Sequence, residues 1–307
     1  MKDVQETPTA GYTRVYEQAA SKGTAFIEDA KTGVKTNHAD KNHYKNDPTK
    51  AFRERIATNL VRKILEFRRQ QHSESNSVRC LDVGCSTGND LALLKETLGR
   101  SKDDSLVLEP IGLDLLGAQL EHARKNLPEG TFVEGNIVSL PFDDNSMDSV
   151  QCSRLLIHVP DLNKGLDELV RVLKPGGSGA VAEGNFYGTV VYTSDERLKG
   201  VATAINDHHL SQCAHPGAAM DAYRALVANT TVENTAIEPF PVLTPDPSYG
   251  LGMAYLKPTL EAVVASGGID QTDMAYFLET LPNAQAKGNF FLASMMFEVT
   301  FDKKTID

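Results

Sequence analysis

Residues Cys80 to Asp90, Cys-Leu-Asp-Val-Gly-Cys-Ser-Thr-Gly-Asn-Asp, constrain the fold more than any other part of the chain. An apolar run ends at Asp82 and enters a turn punctuated by Gly84 and Gly88. A helical stretch, Asp90-Leu-Ala-Leu-Leu-Lys-Glu-Thr-Leu, follows at once. This order predicts a strand, a glycine-rich turn and a helix N-terminus. Glycines let the backbone bend tightly and let a ligand approach it. The unsatisfied N–H groups at the helix start favour a polar or anionic ligand group. A small nucleotide-like ligand is therefore expected here. The dinucleotide fingerprint G-x-G-x-x-G fails because Ser86 lies between the glycines. A nicotinamide-dependent dehydrogenase is disfavoured on that ground.

The stretch instead resembles motif I, D/E-x-G-x-G-x-G, of the class I S-adenosylmethionine-dependent methyltransferases. Asp82, Gly84 and Gly88 match, and the small Ser86 stands where the middle glycine is commonest. The resemblance implies cofactor contacts from Asp82, Gly84, Cys85, Ser86 and Gly88. Val107 to Leu115 reads as a second strand ending in Asp114. A carboxylate there accepts hydrogen bonds from ribose hydroxyls, with Leu115 beside it. Asp114 follows Gly84 by 30 positions, more than the usual spacing of about 20. The polar loop from Gly99 to Ser105 explains the excess.

Phe132-Val-Glu-Gly-Asn-Ile-Val-Ser-Leu-Pro-Phe resembles the Gly-Asp-Ala-x-x-Leu-Pro-Phe stretch of the ubiquinone/menaquinone-biosynthesis type. By that resemblance Asn136, in place of Asp, faces the adenine amino group through its side-chain carbonyl. The backbone N–H of Ile137 faces the ring. Farther on, Asp148, Val150, His158, Val159 and Asp161 match the family's FD-x-V and H-V-x-D segments, with Ser153 among the implied cofactor contacts. Leu166-Asp-Glu-Leu-Val-Arg-Val-Leu-Lys-Pro-Gly-Gly repeats E-x-x-R-V-L-K-P-G-G. Leu166, Leu169, Val170 and Leu173 form one helical face. Pro175 and the glycine pair are expected to stop that helix and launch a fifth strand over 178–182.

The resemblance implies an α/β fold: a doubly wound, Rossmann-like, seven-stranded and mostly parallel sheet whose last strand is antiparallel. An N-terminal helical lid and substrate-covering helical insertions accompany it. The expected organisation is a lid over 1–50, a cofactor-binding core over 51–184, and the C-terminal half of the same domain over 185–307. Ala51 to Phe67 reads as an amphipathic helix with Ile56, Leu60, Ile64, Leu65 and Phe67 on its inner face. Further helices are expected over 195–206, 220–228 and, split at Gly267-Gly268, over 255–281. The last two strands are expected over 231–237 and 289–301.

A net charge of −10 and an isoelectric point near 5.3 disfavour a nucleic-acid partner. The place after the fourth strand holds Ser153-Arg-Leu-Leu rather than the N/D-P-P-Y/F loop of base-methylating enzymes. Arg53-Glu-Arg and Arg68-Arg69 read as solvated helix faces. No run approaches a membrane span, and Met1 to Ala20 lacks the apolar run of a leader. The four cysteines show no C-x-x-C pairing. Buried thiols and a cytoplasmic setting are expected, with a homodimer allowed and no membrane partner.

Methyl transfer needs positioning and, for OH or NH acceptors, removal of a proton. His158 and His209 are the candidate bases, although His158 also fits a structural role. Tyr16, Tyr187, His208 and Cys213 are the candidate acceptor contacts, with Tyr192 nearby in sequence. His209 and Cys213 share a helical face at i, i+4. With His208 and His215 their types suit zinc, but the spacing fits no zinc motif, and no metal is assigned. The expected activity is methylation of a small natural-product or quinone-like acceptor. The alternative is a methyltransferase-fold protein that binds the cofactor yet catalyses another reaction or serves as a partner protein.

Overall fold

In the computed structural model, which describes residues 49–71, 76–101, 105–244 and 256–305, seven strands form one sheet in the order β3-β2-β1-β4-β5-β7-β6. Helix α1 (Lys50–Gln71) leads into β1 (Ser77–Val83), α2 (Asn89–Gly99), β2 (Val107–Asp114), α3 (Gly117–Asn126), β3 (Thr131–Glu134) and β4 (Met147–Ser153). Then follow α4 (Leu162–Val172), β5 (Leu173–Thr193), α5 (Glu196–Gln212), α6 (Ala218–Ala228) and β6 (Val232–Thr244). Helices α7 (Leu256–Ala265) and α8 (Gln271–Ala286) and strand β7 (Phe290–Lys303) complete the order.

The central strands β1 and β4 are buried almost throughout, as parallel strands covered on both faces should be. β1 pairs in parallel with β2 and β4, β2 with β3, and β4 with β5. β7 runs the other way. Ser178 on β5 bonds Asp302, Gly179 lies under Phe301, and Gly184 lies near Met296, so one strand climbs as the other descends. The expected doubly wound sheet with an antiparallel last strand is present.

The chain divides into two compact units. Of the described residues, one unit comprises those within 50–183, 218–239 and 297–305; the other comprises Thr49, 184–217, 240–244 and 256–296. In the first, α1 buries Phe52, Ile56, Leu60, Val61, Ile64 and Phe67. Asp148, only 1% exposed, accepts from the Arg79 N–H at 2.8 Å and from Lys174 Nζ at 2.9 Å. This matched aspartate is therefore a structural staple between β1, β4 and β5. In the second unit, Leu198, Ile205, Leu260, Phe277, Leu281 and Phe290 form the core. The Asp195 carboxylate caps α5 and accepts from the Tyr276 hydroxyl at 2.5 Å, while Arg197 pairs with Asp273.

Several boundaries differ from the sequence expectation. α5 runs to Gln212 rather than ending at Asn206, because no glycine or proline interrupts residues 207–212. β6 reaches Thr244, not Ile237. α4 stops at Val172, and β5 begins at Leu173 rather than at residue 178. Between Met147 and Ser149 on β4, the partner on β5 advances from Leu173 to Ser178. Pro175 and the glycines thus sit in a bulge inside the strand, with Gly176 at φ +79°. Leu65 is half-buried rather than part of the core. Tyr16 and residues 1–48 of the lid expected over 1–50 lie outside the described residues.

Candidate functional site

The turn after β1 is bound to the end of β2 by its backbone. The N–H groups of Gly84 and Cys85 donate to Leu113 O at 2.7 and 3.0 Å. The Ser86 N–H donates to Asp114 Oδ2 at 2.8 Å, and the Leu116 N–H donates to Oδ1 at 2.9 Å. With a third backbone N–H, from Leu115, also bonded to this carboxyl, about one of its four acceptor sites remains for an incoming donor. Gly84 and Gly88 both stand at φ +77°, and Ser86 at +47°. The left-handed backbone explains why glycine suits all three positions. Gly88 caps α2. Cys85 is buried, its thiol pressed against Gly112, where an added Cβ would lie 2.6 Å from Sγ. Burial pushes that thiol up, so the backbone is what Cys85 offers a ligand.

Three carboxyls meet at this end of the sheet. Burial holds Asp82 well above the usual carboxylate range, and Asp90 pushes it the same way; Gln151 and Arg53 oppose them, and Asp114 adds a smaller push up. Burial also raises Asp114, against the backbone N–H bonds of Leu116, Ser86 and Leu115. Arg53, which the sequence placed on a solvated face, is only 9% exposed and grips Asp90 at 2.5 Å. Position 53 lies on the same α1 face as Ile56 and Leu60, so its stem is buried with them. Arg53, Asp90, Gln151 and Ser153 line a cavity of about 10 Å³ over Ala180 and Ala182, roughly the space of one water. Gln151 lies close enough to bias Asp82, yet its buried Nε2 reaches no hydrogen-bond partner among the described residues.

Ser153 ends β4 beside Ala182 of β5. Leu155, just beyond, covers the glycine turn: a Cβ on Gly84 would lie 3.0 Å from its Cδ2. Asn136 Oδ1 accepts from the Val138 N–H at 3.2 Å, which fixes the side chain and leaves one lone pair. Ile137 is buried against Gly165 of α4, and Leu115 is half-buried after Asp114. The E-x-x-R signature is structural. Glu168 accepts the Leu140 N–H at 2.6 Å, and Arg171 donates to the carbonyls of Leu140 and Phe142 at 3.0 and 2.8 Å. Together they clasp the Leu-Pro-Phe loop.

Among the catalytic candidates, His158 is exposed in a one-turn 3-10 helix over Leu156–His158. His209 belongs to the other unit. Its Nε2 lies 3.6 Å from Cys213 Sγ, and its ring meets Phe186 edge-on at 4.6 Å. Burial, helped by His208, lowers its pKa to about 4, so it is neutral at pH 7. His208 and Cys213 are half-buried, whereas Tyr187 is 69% exposed beside Gly217. The structure thus gathers Asp82, Gly84, Ser86, Gly88 and Asp114 in one unit, and His209, Cys213 and Phe186 in the other. Among the described residues, no group of three or more His, Cys, Asp or Glu side chains is placed to hold a metal. None of their helices is long and apolar enough to cross a membrane. Arg53, Asp90 and Gln151, which line the cavity, are not among the residues the sequence singles out. Asp90, inside the glycine motif, was the only one with a sequence signal.

A parallel sheet with a glycine turn tied to an acidic second strand defines the nucleotide-binding α/β class. Residues 81–181 match the family described as Methyltransferase domain (Methyltransf_11). This segment is a domain of the class I S-adenosylmethionine-dependent methyltransferases. The demethylmenaquinone methyltransferase of Staphylococcus carnosus is 37% identical over 34% of this chain and 42% of its own length. The ubiquinone/menaquinone biosynthesis C-methyltransferase UbiE of Stenotrophomonas maltophilia is 39% identical over the same shares. The crystal structure of the YcgJ protein from Bacillus is 16% identical, with a TM-score of 0.47, over 80% of this chain and 99% of that one. The chain spans less than half the length of these two curated relatives.

Proposed function

We propose that the whole chain transfers the methyl group of S-adenosylmethionine to a small-molecule acceptor of natural-product or quinone-like type. The observation that carries this reading is the left-handed turn at Gly84 and Ser86, hydrogen-bonded to Asp114 amid the carboxyls of Asp82 and Asp90. A glycine cradle beside clustered carboxyls suits a ligand with a sulfonium and an ammonium. The Gln151 Nε2, which has no hydrogen-bond partner among the described residues, adds a donor. Asp114 would take the ribose hydroxyls, Asn136 and the Ile137 backbone the adenine, and the backbone of 84–88 the amino-acid end. When bound, this group supplies an electrophilic methyl carbon on a sulfonium that leaves as a neutral thioether.

The chain's own contribution is to hold, orient and dehydrate. His209, kept neutral by burial, is the side chain we propose to take a proton from an OH or NH acceptor. Tyr187, His208 and Cys213 are proposed acceptor contacts. The small-molecule class is supported by the activities for which the two relatives are named and by the net charge of −10.

Calorimetric titration with S-adenosylmethionine, S-adenosylhomocysteine and NAD in parallel tests the reading. Micromolar binding of the first two and none of NAD is expected; binding of NAD alone overturns it. Asp114→Ala removes hydrogen bonds to a charged acceptor, about 1.5–3 kcal/mol, so affinity should fall roughly ten- to hundredfold. Unchanged affinity would remove Asp114 from the cofactor site.

A further inference from the structure

Glu183 is the last residue of the sheet-bearing unit on β5 and is 0% exposed. No sequence motif singled it out. Its Oε1 accepts two consecutive backbone hydrogen bonds, from the Leu155 N–H at 2.8 Å and the Leu156 N–H at 2.6 Å. Its Oε2 is buried and has no hydrogen-bond partner among the described residues. The loop it grips leaves β4 through Arg154, which stands at φ +54°, and the Arg154 N–H donates to Ala182 O at 2.8 Å. A left-handed non-glycine residue persists only where its surroundings over-determine it. Here two strands and one carboxyl do so. The loop then delivers Leu155 onto Gly84, 3.0 Å from where a Cβ would sit.

We propose that Glu183 is a positioning residue of the cofactor site: its buried carboxyl sets the exit loop of β4, and through Leu155 the wall that faces the glycine turn. The proposal rests on the reading of that turn as the S-adenosylmethionine site. Glu183 acts through reach rather than charge. A charged carboxylate would stabilise the two N–H groups more strongly, but burial pushes this carboxyl up to about 8. At neutral pH it is mainly a neutral acceptor with a fixed length. An isosteric amide oxygen can fill that role. A shorter acid cannot, because losing one methylene withdraws the oxygen from both N–H groups.

The test is the affinity of purified, folded protein for S-adenosylhomocysteine, measured by calorimetry on wild type, Glu183→Gln and Glu183→Asp, each with a urea melt. Glu183→Gln should bind within about threefold of wild type. Glu183→Asp should bind ten- to hundredfold more weakly, the loss expected when buried N–H groups go unpaired. A purely structural role would lower the urea midpoint of Glu183→Asp and leave the affinity of its folded fraction unchanged, which overturns the proposal. Equal loss in both variants, or loss in Gln alone, overturns it too, since charge would then matter more than reach. If Glu183→Asp does not fold, Leu155→Ala replaces it: weaker binding supports the loop's role, and unchanged binding overturns it. Wild type that binds neither S-adenosylhomocysteine nor S-adenosylmethionine refutes the underlying site reading, a result distinct from any of these.

Discussion

At the scale of the residue, the glycine turn contains a non-glycine compromise. Ser86 holds φ +47°, a conformation that costs a non-glycine residue about 1–3 kcal/mol. Ser86→Gly relieves that strain but adds about 0.4–1 kcal/mol of freedom to the unfolded chain. The net expectation is a gain of roughly 1 kcal/mol, read as a higher urea midpoint at unchanged slope. A lower midpoint would show that the 3.4 Å contact of Ser86 Oγ with Gln119 outweighs the strain. Glu183 makes stability depend on pH. Its carboxyl is shifted from 4.5 to about 8. Below pH 4.5 it is protonated in both folded and unfolded chains and contributes nothing. Between 4.5 and 8 the unfolded chain releases the proton while the folded chain keeps it, so stability falls as pH rises. Above 8 the penalty levels off, at a few kcal/mol by the roughly 1.4 kcal/mol per pH unit of linkage. Glu183→Gln should therefore lose less stability than wild type between pH 5 and pH 8. Equal losses in denaturant titrations at the two pH values would place the raised carboxyl elsewhere.

Among the elements, β5 and β7 meet closely at Gly179. A Cβ on Gly179 would lie 2.2 Å from Phe301 Cζ, and Phe301 is fully buried. Gly179→Ala must displace a packed ring, so it should destabilise by about 1–3 kcal/mol. Thermal or urea unfolding reads this directly, and an unchanged midpoint would mean that β7 yields at Phe301. Most elements were legible because each carries a period: α1, α4 and the central strands bury one continuous face or run. The bulge at Pro175 to Gly177 was not. Proline and glycine read locally as a stop, and only pairing with β4 on one side and β7 on the other turns them into an interruption within a strand. The early end placed on α5 failed for a related reason. No capping residue marks Asn206, and the helix continues to the Cys213 cap.

For the molecule as a whole, two units with separate cores need not unfold together. A ligand held by the glycine turn stabilises the unit that contains it. S-adenosylhomocysteine at about 100 times its dissociation constant should add roughly 2.7 kcal/mol, a rise of several degrees in that unit's transition. Scanning calorimetry with and without the ligand checks this. If two transitions appear and only the other one moves, the ligand does not sit at the glycine turn.

Sequence alone determined the order of strands and helices, the place of the glycine turn, and the acidic residue at the end of the second strand. These follow from local backbone demands and from hydrophobic period, both written in consecutive residues. Tertiary structure decided which polar side chains share a buried space. Arg53 and Asp90 are 37 positions apart, and Glu183 reaches Leu155 and Leu156 from 28 and 27 away. Neither pairing leaves a local pattern. A buried charge or carboxyl is tolerated only where a distant partner meets it, and that meeting exists only once the sheet has brought β4, β5 and α1 together.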